Sequence, residues 1–180
     1  MRKIIATLLT AFGIGGSAAA AKAPEAPAPS MSGDLRAMVL NLSPSEIGLT
    51  PENFPHRVWG VVMETGLDAG YYTLVVLADG STSLYFSTGG GIIGAGEHSS
   101  VREASTNFIG IANKSLDSAN SASAFPPPNS GNTVFYFLTF NGTKTYTAPE
   151  IELGENRDSL SNLFHAGHVV IAAVRQTQSQ

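Results

Sequence analysis

The 180-residue chain contains no cysteine. Disulfides, thiolate catalysis and lipid attachment through cysteine are therefore excluded, although this absence fits either side of a membrane. Charged residues are also scarce, at 13% of the chain, about half of the usual fraction. Because 43% of the residues are apolar and Ser, Thr, Asn and Gly are abundant, the composition favours a packed, β-rich domain over a helical bundle.

Basic residues are few once the N-terminal segment is set aside. Beyond residue 30 the chain carries seven basic and thirteen acidic groups, a net charge of −6. Nucleic-acid-binding proteins need a basic surface to neutralise phosphates. We therefore expect no nucleic-acid partner.

The first 21 residues have the layout of a secretory signal, with a basic start, an apolar stretch over 4–14 and small residues up to Ala21. The apolar stretch is short and interrupted by glycine, so we expect no stable membrane span after the signal is removed. Residues 22–33 are rich in Pro and Ala and are typical of a disordered linker. The remaining chain predicts one domain over 34–176 and a disordered tail over 177–180.

Three alternatives follow for the location of the protein. Cleavage near Ala21 predicts export to the periplasm. If translation instead starts at Met31, the protein is cytoplasmic. In the third alternative the N-terminal segment stays attached as an uncleaved anchor.

Five segments have strand patterns, and two of the turns between them favour hairpins. Asp79-Gly80 predicts a type I′ turn, in which both central residues adopt positive φ, and Asn141-Gly142 is a second hairpin signal. Two of the strands are continuously apolar, which predicts burial on both faces of the sheet. The predicted strands are 58–65, 71–78, 81–88, 133–140 and 143–147.

Helical spacing marks a short first helix over 35–42 and a long helix over 101–116. A capping box at 43–46 starts a further turn, and Asp158 or Ser159 caps the last helix. The chain thus predicts an α+β domain with a five-stranded antiparallel sheet, in the order three strands, helix, two strands, helix, and with helices packed on the sheet.

Five glycines occur within eight residues between the third strand and the long helix. The spelling Gly-x-Gly-x-x-Gly at 89–94 matches a dinucleotide fingerprint, but the preceding strand closes a hairpin and the helix begins late, beside an acidic residue. We interpret the segment as a tight strand-to-helix connection and expect no cofactor. The alternative is a backbone-lined contact for a small ligand, a peptide or an anion, and its candidate residues are Gly89, Gly90, Gly91, Gly94, Gly96 and Glu97.

Four titratable residues are candidates for catalysis. Glu64 ends an apolar strand, and a carboxylate buried at such a position is a candidate for a functional site. His165 and His168 lie three residues apart on the last helix, and His98 lies at the start of the long helix. An acid–base pair or a metal site would need these side chains to converge. The three-residue spacing of His165 and His168 is also typical of histidines that are partly buried for structural reasons, so we expect no metal site here.

Five segments between Trp59 and Val174 carry a resemblance to known sequences, at 59–66, 77–88, 89–98, 134–139 and 163–168. Through these segments the chain resembles a family of uncharacterised bacterial proteins. Members of that family begin near the equivalent of Met31, and the family implies no activity. The order of elements also resembles profilin-like and Roadblock-type domains, which implies a dimeric scaffold or a small sensor.

These observations favour a non-catalytic interaction or sensory and scaffold module, with a second copy of itself or another protein as its partner. A homodimer is expected because the sheet is apolar on both faces. The alternatives are a metal-dependent or hydrolytic enzyme that uses Glu64 and the histidines, and a small-ligand or anion-binding protein that uses the glycine-rich segment.

Overall fold

A computed structural model describes residues 31–179 of the chain. The signal-like segment 1–21 and the linker up to residue 30 lie outside the described residues. The last three positions of the predicted linker belong to the first helix, and residues 177–179 form a short 3-10 turn.

The core of the fold is one antiparallel sheet, as predicted, but it has seven strands instead of five. The two additional strands are two-residue segments at the sheet edges, too short to show any alternation in the sequence. In chain order the strands are β1 (Val58–Leu67), β2 (Gly70–Leu77), β3 (Thr82–Phe86), β4 (Gly91–Ile92), β5 (Asn120–Ser121), β6 (Asn132–Thr139) and β7 (Gly142–Pro149). Their spatial order is β4-β3-β2-β1-β6-β7-β5.

Within the described residues four helices accompany the sheet, together with 3-10 turns at 44–47, 95–97 and 116–118. The predicted first, long and last helices are confirmed, whereas the five-residue helix after β7 has no sequence signal that predicted it. Among residues 31–179, no helix has both the length and the apolar character that a membrane crossing requires. The helices are α1 (Met31–Leu40), α2 (Ser99–Ser115), α3 (Glu150–Gly154) and α4 (Ser161–Gln176).

Both hairpins form where the sequence places them, but the type I′ turn predicted at Asp79-Gly80 is wrong. Gly80 has φ of 95°, whereas Asn156 is the only non-glycine residue with positive φ in the described part of the chain. The Asp79 carboxylate instead accepts hydrogen bonds from the amide and the hydroxyl of Ser81, at 2.9 and 3.0 Å. This local bonding favours a turn in which only the glycine is left-handed.

The central strands bury side chains on both faces, as their continuous apolar runs predict. One face packs against α2 and α4, and its core includes Met63, Phe108 and Leu163. The other face is covered by α1 and nearby loops, and its core includes Trp59, Tyr136 and Val39. Neighbouring residues of one strand therefore serve two separate cores, because side chains alternate along a strand.

Candidate functional site

The glycine-rich segment connects β3 to α2 through a turn, the short edge strand β4 and a 3-10 turn. Gly89, Gly90 and Gly94 have φ of 106°, 81° and 74°, a conformation that favours glycine. The helix α2 begins at Ser99, with His98 in the N-cap position. Glu97 and His98 are both exposed.

Gly96 serves packing. A Cβ atom at this position would overlap the backbone carbonyl oxygen of Gly80 in the β2–β3 hairpin. Arg102 holds the same segment from α2 by donating to the carbonyl oxygens of Gly96 and Glu97, at 2.8 and 2.9 Å. The end of the glycine-rich segment is therefore tied to the hairpin and to the helix.

The two histidines of α4 have different surroundings. His165 is exposed, and its Nε2 lies 3.1 Å from Oδ1 of Asn156. His168 is half-buried, with Nε2 3.4 Å from the hydroxyl of Tyr72 and its ring against Phe164. Burial, helped by the charge of His165, lowers the pKa of His168. Burial also raises the pKa of Tyr72 to about 12, which keeps its hydroxyl protonated at neutral pH.

The four candidates for catalysis do not lie in one cleft. Glu64 follows Met63, which packs against α4, so its side chain lies on the opposite face of the sheet, under α1. His98 lies far from the histidines of α4. The two helices cross where Phe108 of α2 lies beside Gly167 of α4. His98 precedes Phe108 by ten residues, which places it about 15 Å away from this crossing along the axis of α2. In the range 31–179, no three His, Asp or Glu side chains are grouped so that they could hold a metal ion.

Glu64 instead forms a buried ion pair with Arg36 of α1. The guanidinium donates to both carboxylate oxygens, Nε to Oε1 at 2.7 Å and Nη2 to Oε2 at 2.8 Å. The Glu64 side chain is 0% exposed and the Arg36 side chain is 13% exposed. The hydroxyl of Thr73 donates a further hydrogen bond to Oε1, at 2.9 Å. Burial by itself lowers the pKa of Arg36, but the hydrogen bond and charge of Glu64 outweigh it and leave that pKa raised.

Three tyrosines surround this pair. The rings of Tyr71 and Tyr136 lie 5.8 and 5.9 Å from the guanidinium carbon of Arg36. Tyr136 also donates its hydroxyl to the carbonyl oxygen of Pro126, at 2.7 Å. Burial and the charge of Glu64 raise the pKa of Tyr85. The Tyr85 hydroxyl and the indole nitrogen of Trp59 are buried without a hydrogen-bond partner in the described part of the chain.

An apolar cavity of about 310 Å³ lies between α1 and the glycine-rich connection. The residues that line it include members of α1, β2 and β3, among them Tyr85. Ile93 and Gly94 of the glycine-rich connection line its edge. The residues of α1 that face it are Leu35, Met38 and Val39.

Sequence reasoning found Glu64 but missed its partners. The predicted burial of a carboxylate implies a cation beside it, and Arg36 lies on the helix whose apolar positions 35 and 39 pack on the sheet. No pattern in the sequence connects residue 36 with residue 64, since their pairing depends on how α1 lies across the strands.

No family model matches this chain, and comparisons with curated proteins and with solved structures gave no match either.

Proposed function

We propose that this protein is a non-catalytic sensory module that binds a small amphipathic molecule in the cavity between α1 and the glycine-rich connection. The observation that carries the proposal is the cavity itself, which is apolar and borders a buried tyrosine. Ligand sites are typically apolar concavities with a few polar groups that set the orientation of the ligand. In this proposal the glycine-rich segment contributes to the ligand site through Gly94, which lines the cavity.

The size and lining of the cavity limit the ligand class. About 310 Å³ lies at the lower end of the range for small-molecule sites, which favours a compact molecule over a nucleotide. A neutral molecule with an alkyl chain and one hydrogen-bonding group would fit this cavity, because its lining is apolar apart from hydroxyl-bearing residues such as Ser81 and Ser83.

The helix α1 links occupancy of the cavity to the shape of the protein. It lines the cavity through Leu35, Met38 and Val39 and carries Arg36 on the same two turns. A ligand that contacts α1 favours the conformation in which this helix is docked on the sheet. The occupied and empty forms would then differ in how firmly α1 is held, which is a signal that a partner can detect.

The layout supports a profilin-like or Roadblock-type domain as part of this proposal. The hairpin at Asp79-Gly80, the long helix α2, the β6–β7 hairpin and the closing helix α4 occur in the order that the resemblance implies. Such domains act as dimeric scaffolds or small sensors, which agrees with a sensory role. The proposed homodimer would use the exposed apolar side chains of the neighbouring helices α3 and α4, Ile151 and Val169.

The binding proposal is tested with 1-octanol as the probe and isothermal titration calorimetry of the full chain. We expect saturable binding with one molecule per protein. Ser83 lines the cavity from β3, so Ser83→Phe should fill the space and abolish binding. Ser100→Phe, at an exposed position in the first turn of α2, is the matched control and should bind as the wild type does. Equal binding by both variants would place the probe elsewhere and would refute the cavity as the site.

The homodimer is tested separately by light scattering after size exclusion. We expect a dimeric mass for the wild type and a monomeric mass for Val169→Glu, because a charge in an apolar interface is costly to bury. Asn107→Glu adds the same charge on the exposed polar side of α2 and should leave the dimer intact. A monomeric wild type would contradict this part of the proposal.

Export remains part of the proposal and depends on residues 1–21. N-terminal sequencing of natively expressed protein should give a start near residue 22. A mature chain that begins at residue 31 would contradict export and favour the cytoplasm.

A further inference from the structure

The groups that surround Arg36 form a cage for a cation on the sheet. Four of them come from three adjacent strands, in which Glu64 of β1 pairs with Thr73 of β2 and Val62 of β1 pairs with Tyr136 of β6. The fifth group is a backbone carbonyl in the proline-rich loop before β6. We call this set the guanidinium cage, and it consists of Glu64, Tyr71, Thr73, Tyr136 and the carbonyl oxygen of Pro126.

The proline-rich loop is held in place independently of α1. A Cβ atom at Gly66 of β1 would overlap the carbonyl oxygen of Asn129, so the loop crosses β1 where only a glycine fits. The amide of Gly131 donates to the carbonyl oxygen of Gly66 at 3.0 Å. Tyr136 binds the carbonyl oxygen of Pro126, and its ring packs edge-on against Phe125. The cage is therefore built from the sheet and this loop, and α1 contributes only its occupant.

The chemistry of the cage matches a guanidinium group. The carboxylate of Glu64 accepts two parallel hydrogen bonds, a geometry that a planar guanidinium satisfies and an ammonium does not. Two tyrosine rings contact the cation within the range of cation–π attraction. The carbonyl oxygen of Pro126, 3.4 Å from Nη2, offers an acceptor to the outer edge of the group.

We infer that the guanidinium cage is a ligand site for small guanidino compounds, which Arg36 occupies in this structure as an internal stand-in. An external guanidinium would replace Arg36 and release α1 from the sheet. This inference goes beyond the proposed function, since the cage takes a planar cation whereas the cavity takes an apolar molecule. The two ligands would act on α1 in opposite directions, one holding it and the other displacing it.

The first experiment empties the cage with Arg36→Ala in the full chain and uses N-ethylguanidinium as the probe. We expect a saturable rise of several degrees in the melting temperature of this variant at millimolar probe. The Arg36→Ala/Glu64→Gln double variant should lose this rise, and N-ethylammonium at the same concentrations should produce much less of it. Equal stabilisation of the single and double variants, or by both cations, would overturn the assignment.

The second experiment uses the wild type, so it does not depend on the folding of a variant. Trp59 is the only tryptophan of the chain and is buried in the core that α1 covers. Displacement of α1 should shift its emission to longer wavelength and should speed amide exchange within 31–40. Higher probe concentrations are needed than for Arg36→Ala, because Arg36 competes for the cage. Urea at equal concentration controls for denaturation by the probe. If the probe binds Arg36→Ala but changes neither the emission of Trp59 nor the amide exchange of α1 in the wild type, the inference is overturned. Arg36 and Glu64 would then form a purely structural ion pair.

Discussion

At the scale of single residues, the main feature is a charged pair beneath a short helix. Glu64 has no exposed surface, and within residues 31–179 its carboxylate accepts hydrogen bonds from the guanidinium of Arg36 and the hydroxyl of Thr73. Removing charges from water costs several kcal/mol per ion, and good hydrogen-bond geometry recovers this cost. We therefore expect the pair to contribute more to holding α1 in one position than to net stability.

This balance predicts that removing one partner of the ion pair destabilises the protein far more than removing both. Arg36→Met leaves the Glu64 carboxylate buried without a cation and should lower the free energy of unfolding by about 3–5 kcal/mol. Arg36→Met/Glu64→Leu removes both charges and should recover most of this loss. Urea denaturation of the single and double variants measures both values. A double variant no more stable than the single one would show that the unpaired charge is not the cause.

The half-buried His168 should make the stability of the protein depend on pH. Burial lowers its pKa in the folded protein, so between the folded and unfolded pKa values the unfolded chain binds more protons. The stability that neutral His168 contributes is full above the ordinary histidine pKa of about 6.5 and declines as the pH falls below it.

Substitution of His168 measures its contribution to the pH dependence of the unfolding free energy. His168→Gln should flatten the fall in unfolding free energy as the pH drops below about 6.5, measured by urea denaturation at each pH. His98→Gln, at an exposed position, is the control and should keep the wild-type slope. The same slope in His168→Gln and the wild type would exclude His168 as its source.

At the scale of elements, the glycines of the glycine-rich connection are required for different structural reasons. Gly94 is left-handed and has open space around it, whereas Gly96 has an ordinary φ but lies against the hairpin backbone. The first glycine is required by conformation and the second by close approach. Neither reason involves a phosphate.

Gly96→Ala is expected to destabilise the protein by about 1–3 kcal/mol, because its methyl group would collide with the carbonyl oxygen of Gly80. Gly110→Ala provides a matched control within α2, where an added Cβ meets no atom within 4 Å. It should stabilise the helix by about 0.5–1 kcal/mol. Thermal unfolding of both variants gives the comparison, and a neutral Gly96→Ala would mean that the connection can move away from the hairpin.

At the scale of the whole molecule, the sheet divides the protein into two unequal halves. The face under α2 and α4 holds a large continuous core, whereas α1 buries only Ser32, Val39 and Leu40 among its residues 32–40. Cooperative units with few buried apolar groups open at lower free energy than the global core. We therefore expect α1 to open without unfolding of the sheet.

Native-state hydrogen exchange tests this expectation. Amides in 35–40 should exchange through an opening of clearly lower free energy than amides in β1 and β6. Arg36→Met should lower the protection of α1 by more than that of β1, since the ion pair holds the helix. Equal protection in both regions would show that α1 and the sheet unfold as one unit.

Local patterns determined much of this fold. Apolar runs at 61–63 and 74–77 predicted strands buried on both faces, and helical spacing predicted α2 and α4, because these signals come from neighbours in the chain. The turn at Asp79-Gly80 was placed correctly but given the wrong geometry, since the carboxylate hydrogen bonds to Ser81 decide which residue takes positive φ. The strands β4 and β5 consist of two residues each and depend on the neighbour they pair with.

The sequence by itself identified Glu64 as a carboxylate in an apolar strand and the glycine-rich segment as a connection between sheet and helix. Tertiary structure alone decided that Glu64 and His168 lie on opposite faces of the sheet and that Arg36, 28 positions away, is the partner of Glu64. The physical reason is the alternation of side chains along β1, which separates adjacent residues into two cores. The position of each helix on the sheet then decides which distant residue contacts a given side chain of β1.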